Sequence, residues 1–308
     1  MSPSFGSLLA LMAAMVTIQS GASLAKELFL VWGVAATTMV RTSFGFLFLG
    51  ALWFPKRETL RQFWRPVLAY GFSLGLMNLT FYHALNRLPL GLTVALEFLG
   101  PLGLSLIQSK RAIDIFWALL AAAGVALLMI PDSQWAGLFS WAMGCQGIPS
   151  ESCGGLSAAV GHDSPGGMLD PVGVLFALTA ALAWALYIVF GKRLGQQVAG
   201  GQAASLGMLG AALFVLPFGA MQGGQVWQNS QLLPTGILLA LLSSAIPYAL
   251  EMYALRHIPT KTFGILMALE PVIASLIGFI LLRESLTSTQ ILAVVLITVA
   301  GQGSLWSK

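Results

Sequence analysis

Of the chain's 308 residues, 57% are hydrophobic and only 8% are charged, with a mean hydropathy of +0.84. So few polar side chains cannot coat a soluble globule of this size, which excludes soluble classes and points to a polytopic membrane protein. Fifteen basic residues against eleven acidic ones would suit a nucleic-acid binder, but their placement, described below, reads as topology instead.

An α-helix rising about 1.5 Å per residue needs about 20 apolar residues to cross about 30 Å of hydrocarbon. Such stretches predict spans at 5–24, 30–53, 66–86, 89–108 and 113–131, then at 172–192, 201–221, 234–255, 261–282 and 286–305. The first is longer than a signal-peptide core, has no basic residue before it and lacks a small-residue cleavage site, so it reads as a retained helix. Residues 132–170, rich in Gly, Ser and Pro, read as an external loop insertion holding both cysteines, Cys145 and Cys153. A disulfide between them and two unpaired thiols both fit. Asp170 and Pro171 read as N-cap and first-turn residues of span six, and Thr287 with Gln290 as a capping box for span ten.

If the spans alternate, Lys56, Arg57, Arg61, Arg65, Lys110, Arg111, Lys192, Arg193, Arg256, Lys261 and Lys308 fall on one side, against Lys26, Arg87 and Arg283 on the other. The positive-inside bias then places both termini in the cytoplasm.

Sliding the chain against itself by 170 residues aligns Leu8, Ala10, Ala13, Ile18 and Gly21 with Leu178, Ala180, Ala183, Ile188 and Gly191. Ser73, Ala84 and Pro89 meet Ser243, Ala254 and Pro259, and Leu96, Leu99, Pro101 and Ser105 meet Leu266, Leu269, Pro271 and Ser275. Paired prolines are not the chance matches that Leu and Ala give. Five spans per copy is an odd number, so the second copy lies upside down, an inverted repeat. The expected fold is all-α, ten transmembrane helices as two inverted five-helix repeats over 1–131 and 171–308, joined by 132–170. Two such halves can open one central cavity to either side in turn, which is the geometry of alternating-access transport.

Arg41, Glu97 and Glu270 fall near the middles of spans two, four and nine, where an ionisable side chain costs several kcal/mol unless paired or wetted. Glu251 lies nearer one end of span eight. On span four, Thr93, Glu97 and Gly100 share a face beside Pro101; on span nine, Met267, Glu270 and Ala274 do so beside Pro271. A proline frees the carbonyl four residues earlier, so these helix-break positions, with Pro247 of span eight, offer backbone oxygen beside the carboxylates. Spans three and eight add Gly71, Gly75, Asn78 and Tyr82, and Ser244, Tyr248 and Glu251. An Arg facing carboxylates can hold both ends of a zwitterion, the guanidinium taking a carboxylate and a Glu an ammonium.

The substrate-binding candidates are therefore Arg41, Asn78, Tyr82, Glu97, Tyr248 and Glu270, and the proton-coupling candidates Glu97, Glu270 and Glu251. The competing reading is structural: Arg41 in a buried ion pair with one Glu, prolines that kink for packing, interhelical hydrogen bonds at Asn78, Tyr82 and Tyr248, and Gly and Ala faces that are packing seams. His83, His162 and His257 are scattered, and no H-E-x-x-H or P-loop pattern appears, so no enzyme, cofactor, metal or ATP site is expected.

Several stretches are familiar. Ile18–Lys26 (IQSGASLAK), Val94–Leu102 (VALEFLGPL), Pro247–Leu255 (PYALEMYAL), Thr262–Pro271 (TFGILMALEP) and Leu282–Gln290 (LRESLTSTQ) resemble the inner-membrane threonine/homoserine exporter subgroup of the drug/metabolite transporter superfamily, in its ten-span form with two EamA-like domains. The resemblance spans nearly the whole chain except 132–170. It implies export of small hydrophilic amino acids driven by the proton gradient, and places Arg41, Glu97, Glu251 and Glu270 on matching positions. The expected partners are thus an amino acid, protons and membrane lipids, without nucleic acid. No oligomeric state is fixed and a monomer is compatible. A broad metabolite or drug exporter with an aromatic cavity, and a non-transporting membrane sensor or scaffold, are the other readings.

Overall fold

The computed structural model describes residues 5–54, 57–107, 112–129, 169–198, 200–257, 263 and 266–306. The disulfide candidates Cys145 and Cys153 lie outside them. The described residues form helices and the turns that join them: α1 (Phe5–Trp32), α2 (Val34–Leu52), α3 (Arg57–Gln62), α4 (Trp64–Leu85), α5 (Leu90–Glu97), α6 (Leu99–Ile107) and α7 (Ala112–Met129) in the first half. The second half holds α8 (Pro171–Gly195), α9 (Gly200–Ala220), α10 (Gly223–Gln228), α11 (Leu233–Ala240), α12 (Ile246–His257), α13 (Glu270–Leu282) and α14 (Ser288–Trp306). A 3-10 turn at Ser230–Leu232 leads into α11, and a π turn at Leu241–Ala245 joins α11 to α12.

Each of the ten expected spans holds helix among the described residues, and large apolar side chains such as Leu30, Leu175, Leu182, Phe279 and Ile280 point outward, where only hydrocarbon makes their exposure tolerable. The molecule is an all-α, multi-pass membrane protein. Two capping expectations are met. Asp170 Oδ1 accepts from the Val172 N–H at 2.9 Å, and Thr287 and Gln290 exchange reciprocal bonds of 3.1 and 3.3 Å, covering N–H groups that a helix start leaves open.

Span one differs from its expected bounds, because α1 continues past residue 24 to Trp32 and the break falls at Gly33. Gly33 has φ +82°, a left-handed conformation in which a side chain is strained, and a Cβ there would lie 2.5 Å from Gln222 Oε1. That oxygen accepts from the Ala35 and Ala36 N–H groups at 3.1 and 3.3 Å. The N-terminus of α2, with no capping side chain of its own, is thus capped from the far end of α9.

Spans four, eight and nine are interrupted. Span four breaks between α5 and α6 at Phe98, three residues before Pro101. Span eight passes through the π turn just before Pro247. In span nine, turn residues Ala268 and Leu269 precede α13, which begins at Glu270 with Pro271 beside it.

The packing is reciprocal. α8 lies on α4 as α1 lies on α12; α8 meets α5 and α6 as α1 meets α13; α9 meets α4 as α2 meets α11 and the π turn. α2 with α9, α5 with α13, and α7 with α14 pair each span with its counterpart five places on. In the pairs named here, exchanging each span for its counterpart gives one of the same pairs. Between the helices, Trp32, Leu85, Leu90 and Leu239 fill one cluster and Leu92, Leu96, Ala177 and Ile297 another. In a bilayer such contacts hold by van der Waals packing, since lipid is as apolar as the side chains it would replace.

Candidate functional site

Where α1, α2, α4, α5, the π turn and α13 converge, a cavity of about 60 Å³ is lined by Gln19, Arg41, Asn78, Tyr82, Glu97, Ser243 and Glu270, with Ile18, Met77 and Phe81. Its polar residues are buried: Arg41 and Glu270 are each 6% exposed and Glu97 8%.

Arg41 is held by three contacts. Its Nε donates to Ser243 Oγ at 2.7 Å and its Nη2 to the Ser243 carbonyl at 2.9 Å, while Nη1 donates to Asn78 Oδ1. The Tyr82 ring lies beneath the guanidinium, 5.1 Å from centroid to Cζ, a cation–π contact. The Ser243 carbonyl is available because Pro247, four residues on, has no N–H to offer it. Asn78 Nδ2 donates to the Leu74 carbonyl at 2.7 Å and Ser243 Oγ to the Leu239 carbonyl at 2.7 Å, which fixes both acceptors. A guanidinium has five N–H donors; three are engaged, leaving one on each terminal nitrogen for a solute.

Neither Glu97 nor Glu270 pairs with Arg41 among the described residues. Glu270 Oε1 accepts from Gln19 Nε2 at 3.0 Å, and Glu270 Oε2 and Gln19 Oε1 are buried without a partner. Glu97 also has no hydrogen-bond or ion-pair partner among the described residues. Uncommitted carboxyl oxygen and uncommitted guanidinium N–H groups therefore face one small space, the arrangement that accepts a donor and an acceptor from the same solute.

A second cavity of about 370 Å³ shares Ile18, Met77 and Glu270 with the first and adds Phe98, Pro101, Trp184, Tyr187, Pro247, Tyr248, Glu251 and Phe263. A third, of about 250 Å³, shares Tyr187, Tyr248 and Glu251 with the second and reaches Lys192 and Gly195. The path thus runs from Arg41 to the Lys192 end of α8. Tyr248 and Glu251 stand along this path and outside the deep cavity, whereas Arg41, Asn78, Tyr82, Glu97 and Glu270 are brought together in it. Pro271 is buried at the start of α13. The small-residue faces pack: a Cβ on Gly71 would lie 2.5 Å from Gly210 Cα, and one on Gly100 1.9 Å from the Ala181 carbonyl.

At the other end the helices are tied. Lys26 of α1 pairs with Glu284, just beyond α13, and donates to the Leu88 carbonyl at 3.0 Å. Glu284 Oε2 accepts from the Leu90 N–H at 2.7 Å. Arg87 pairs with Asp170 at 2.7 Å; its guanidinium and the Val172 N–H hold the Asp170 carboxyl below the usual carboxylate range.

The EamA-like transporter family model matches residues 171–301. The threonine/homoserine exporter RhtA of Salmonella typhimurium (strain LT2) is 40% identical over 298 residues, 96% of this chain and 90% of that protein. RhtA of Escherichia coli (strain K12) is 40% identical over 295 residues, 96% of this chain and 89% of its own. The chain belongs to the EamA-like transporter family. Its match to the RhtA-type members runs through both halves, and its place in the family makes it a transporter of small molecules in the inner membrane and not an enzyme. A solved crystal structure of a protein shares the fold, with a TM-score of 0.54 at 18% identity over 96% of this chain and 95% of that one.

Two residues of this EamA-like site were not among the candidates read from sequence. Gln19 is an amide within an apolar span, a polar outlier whose partner lies 251 residues away. Ser243 was visible only as the repeat partner of Ser73; its spacing of four from Pro247 is the signal that marks its carbonyl as free.

Proposed function

We propose that the protein is an inner-membrane secondary transporter that exports threonine, homoserine or a related small amino acid by alternating access. The observation that carries this reading is the deep cavity, in which two spare guanidinium N–H groups of Arg41 face the uncommitted carboxyl oxygens of Glu97 and Glu270. Arg41 takes the substrate carboxylate, and Glu97 or Glu270 takes the ammonium. With about 60 Å³ the deep cavity receives the charged ends, while the adjoining cavity of about 370 Å³ accommodates the remainder. The names and the near-complete coverage of the RhtA relatives support the choice of substrate.

The reciprocal packing supports the two inverted repeats, 1–131 and 171–308. The excess of basic residues at the Lys192 end supports a cytoplasmic position for that end and for both termini. The state described is then open inward and tied outward. Glu97 and Glu270 are the titratable carboxyls of the deep cavity, and Glu251 lies on the path to it, so these three carry the proposed proton coupling. A monomer contains the whole path.

The test is counterflow of labelled threonine and homoserine in proteoliposomes, with and without a pH gradient. Saturable exchange in the wild type, lost in Glu97→Gln or Glu270→Gln and driven by the gradient, is expected. A reconstituted wild type that exchanges neither amino acid overturns the substrate. A second reading, a broad metabolite exporter, is favoured by the aromatic lining of the middle cavity, Phe98, Trp184, Tyr187, Tyr248 and Phe263. Transport of apolar cations without competition by threonine would select it.

A further inference from the structure

We propose that Tyr70, Tyr187, Tyr248 and Glu251 form an ammonium-docking vestibule, a second recognition site at the Lys192 end that takes the solute's amine before the deep cavity does. The inference rests on the amino-acid reading above for the identity of the amine.

Glu251 stands where two cavities meet. It lines both the cavity of about 250 Å³ at the Lys192 end and the one of about 370 Å³ that reaches Glu270. Among the described residues it has no hydrogen-bond or ion-pair partner, so a carboxyl in a largely apolar wall stands ready for a cation. Tyr187 and Tyr248 line the same two cavities. Tyr70 lines the cavity at the Lys192 end together with Tyr187, Tyr248 and Glu251.

The walls are built to stay in place. Tyr70 and Tyr187 stack with ring centroids 5.0 Å apart and planes 21° from parallel. Two glycines enclose the Tyr70 ring: a Cβ on Gly191 would fall 2.8 Å from it, and one on Gly207 only 2.0 Å. Aromatic faces and a carboxyl attract an ammonium ion; the Lys192 amine lines the cavity at that end but not the one that joins Glu251 to Glu270. The chemistry is the opposite of that around Arg41, which attracts the carboxylate.

The two sites together set an orientation. With its amine on Glu251, an amino acid entering from the Lys192 end points its carboxylate onward to Arg41. The amine then moves from Glu251 to Glu270 across a cavity that both line.

The test uses Trp184, which lines the middle cavity with Tyr187 and Glu251, as a fluorescent reporter in the purified full chain. The probe is ethylammonium chloride, an amine without a carboxylate; sodium propionate is the reverse control. A saturable ethylammonium signal is expected in the wild type, absent in Trp184→Phe, at least tenfold weaker in Glu251→Gln and within twofold of wild type in Asp170→Asn, a carboxyl at the opposite end, with no signal from propionate. Tyr187→Phe, which keeps the ring and removes one hydroxyl, should weaken binding severalfold, and it tests the same site if the charge change impairs folding. Ethylammonium binding that is unchanged in Glu251→Gln and Tyr187→Phe, or that is lost in Glu270→Gln instead, overturns the vestibule. A wild type that exchanges threonine but does not bind ethylammonium overturns it too. One that binds ethylammonium through Glu251 but exchanges no threonine overturns the substrate reading and leaves the vestibule standing.

Discussion

The two ends of the transport path are built from different chemistry. At the Glu284 end, two ion pairs and two bonds to backbone join helices across both halves, and the pair of Lys26 with Glu284 is partly exposed, at 23% and 17%. At the Lys192 end, tyrosine rings, the Glu251 carboxyl and the Lys192 amine surround open space, with no ion pair there among the described residues. Partly hydrated ion pairs are weak contacts whose members water can take over when they separate. A closure made of them holds a state without locking it, which suits an end that must open once per cycle. The deep cavity between the ends is different again, because Arg41 is held by Asn78 and Ser243 while Glu97 and one oxygen of Glu270 have no partner among the described residues.

The largest effect should come from the deep cavity. Arg41→Lys keeps the charge but cannot reproduce the fork that spans Ser243 and Asn78. A loss of 2–3 kcal/mol, about 100-fold in threonine counterflow, is expected. Near-normal exchange in this variant would show that Arg41 serves only to pack.

Next in size is the tied end. Glu284→Gln removes the ion pair with Lys26 yet can still accept from the Leu90 N–H, so it weakens the closure without stripping it. Loss of about 1.4 kcal/mol shifts the balance between inward and outward states about tenfold. A cysteine at Ala22, which lines the deep cavity, should then react about tenfold faster with an impermeant thiol reagent applied from the Glu284 side, in a background with Cys145 and Cys153 replaced by Ser. Equal labelling with and without the change would remove the tied end from the gating scheme.

Gln222→Ala should cost about 1 kcal/mol, the usual cost of losing a helix cap, read as a fall of about 2–4 °C in Tm. The smallest effect concerns Asp170. Its carboxyl is held below the usual range by Arg87, so the link is complete above the unfolded pKa and is lost only as pH falls through the lower, folded value. Asp170→Asn should therefore leave the shape of the transport profile between pH 5 and 8 unchanged. A change in that window would assign Asp170 a part in coupling.

Much of this was legible in the sequence for one physical reason: a bilayer forces apolar residues into runs, so polar or helix-breaking residues inside a run carry information. Arg41, Glu97 and Glu270 stood out because hydrocarbon tolerates few charges, and the structure gathers them in one cavity. The end of span one was hidden because Lys26 and Glu27 interrupt the apolar run, whereas in the structure the helix carries on through them with Lys26 held by a partner 258 residues away. Only Gly33, with its left-handed φ and its remote cap, marks the break. Tyr248 and Glu251 share a face of span eight with Ser244, but helical spacing places residues around an axis better than it places them along a cavity. Their depth emerged from the packing of α12 against its neighbours.

The grip on Arg41 also has a history in time. Its hydroxyl and carbonyl partner, Ser243, lies 202 residues further along the chain, while Asn78 follows after only 37. A ribosome making this protein delivers the guanidinium to the membrane long before Ser243 exists. Asn78 is the first of its eventual acceptors to arrive, in the next span, and can shelter the charge while the second half is still being translated. The first half by itself holds Asn78, one of the three hydrogen-bond acceptors of Arg41, and the other two come only with Ser243.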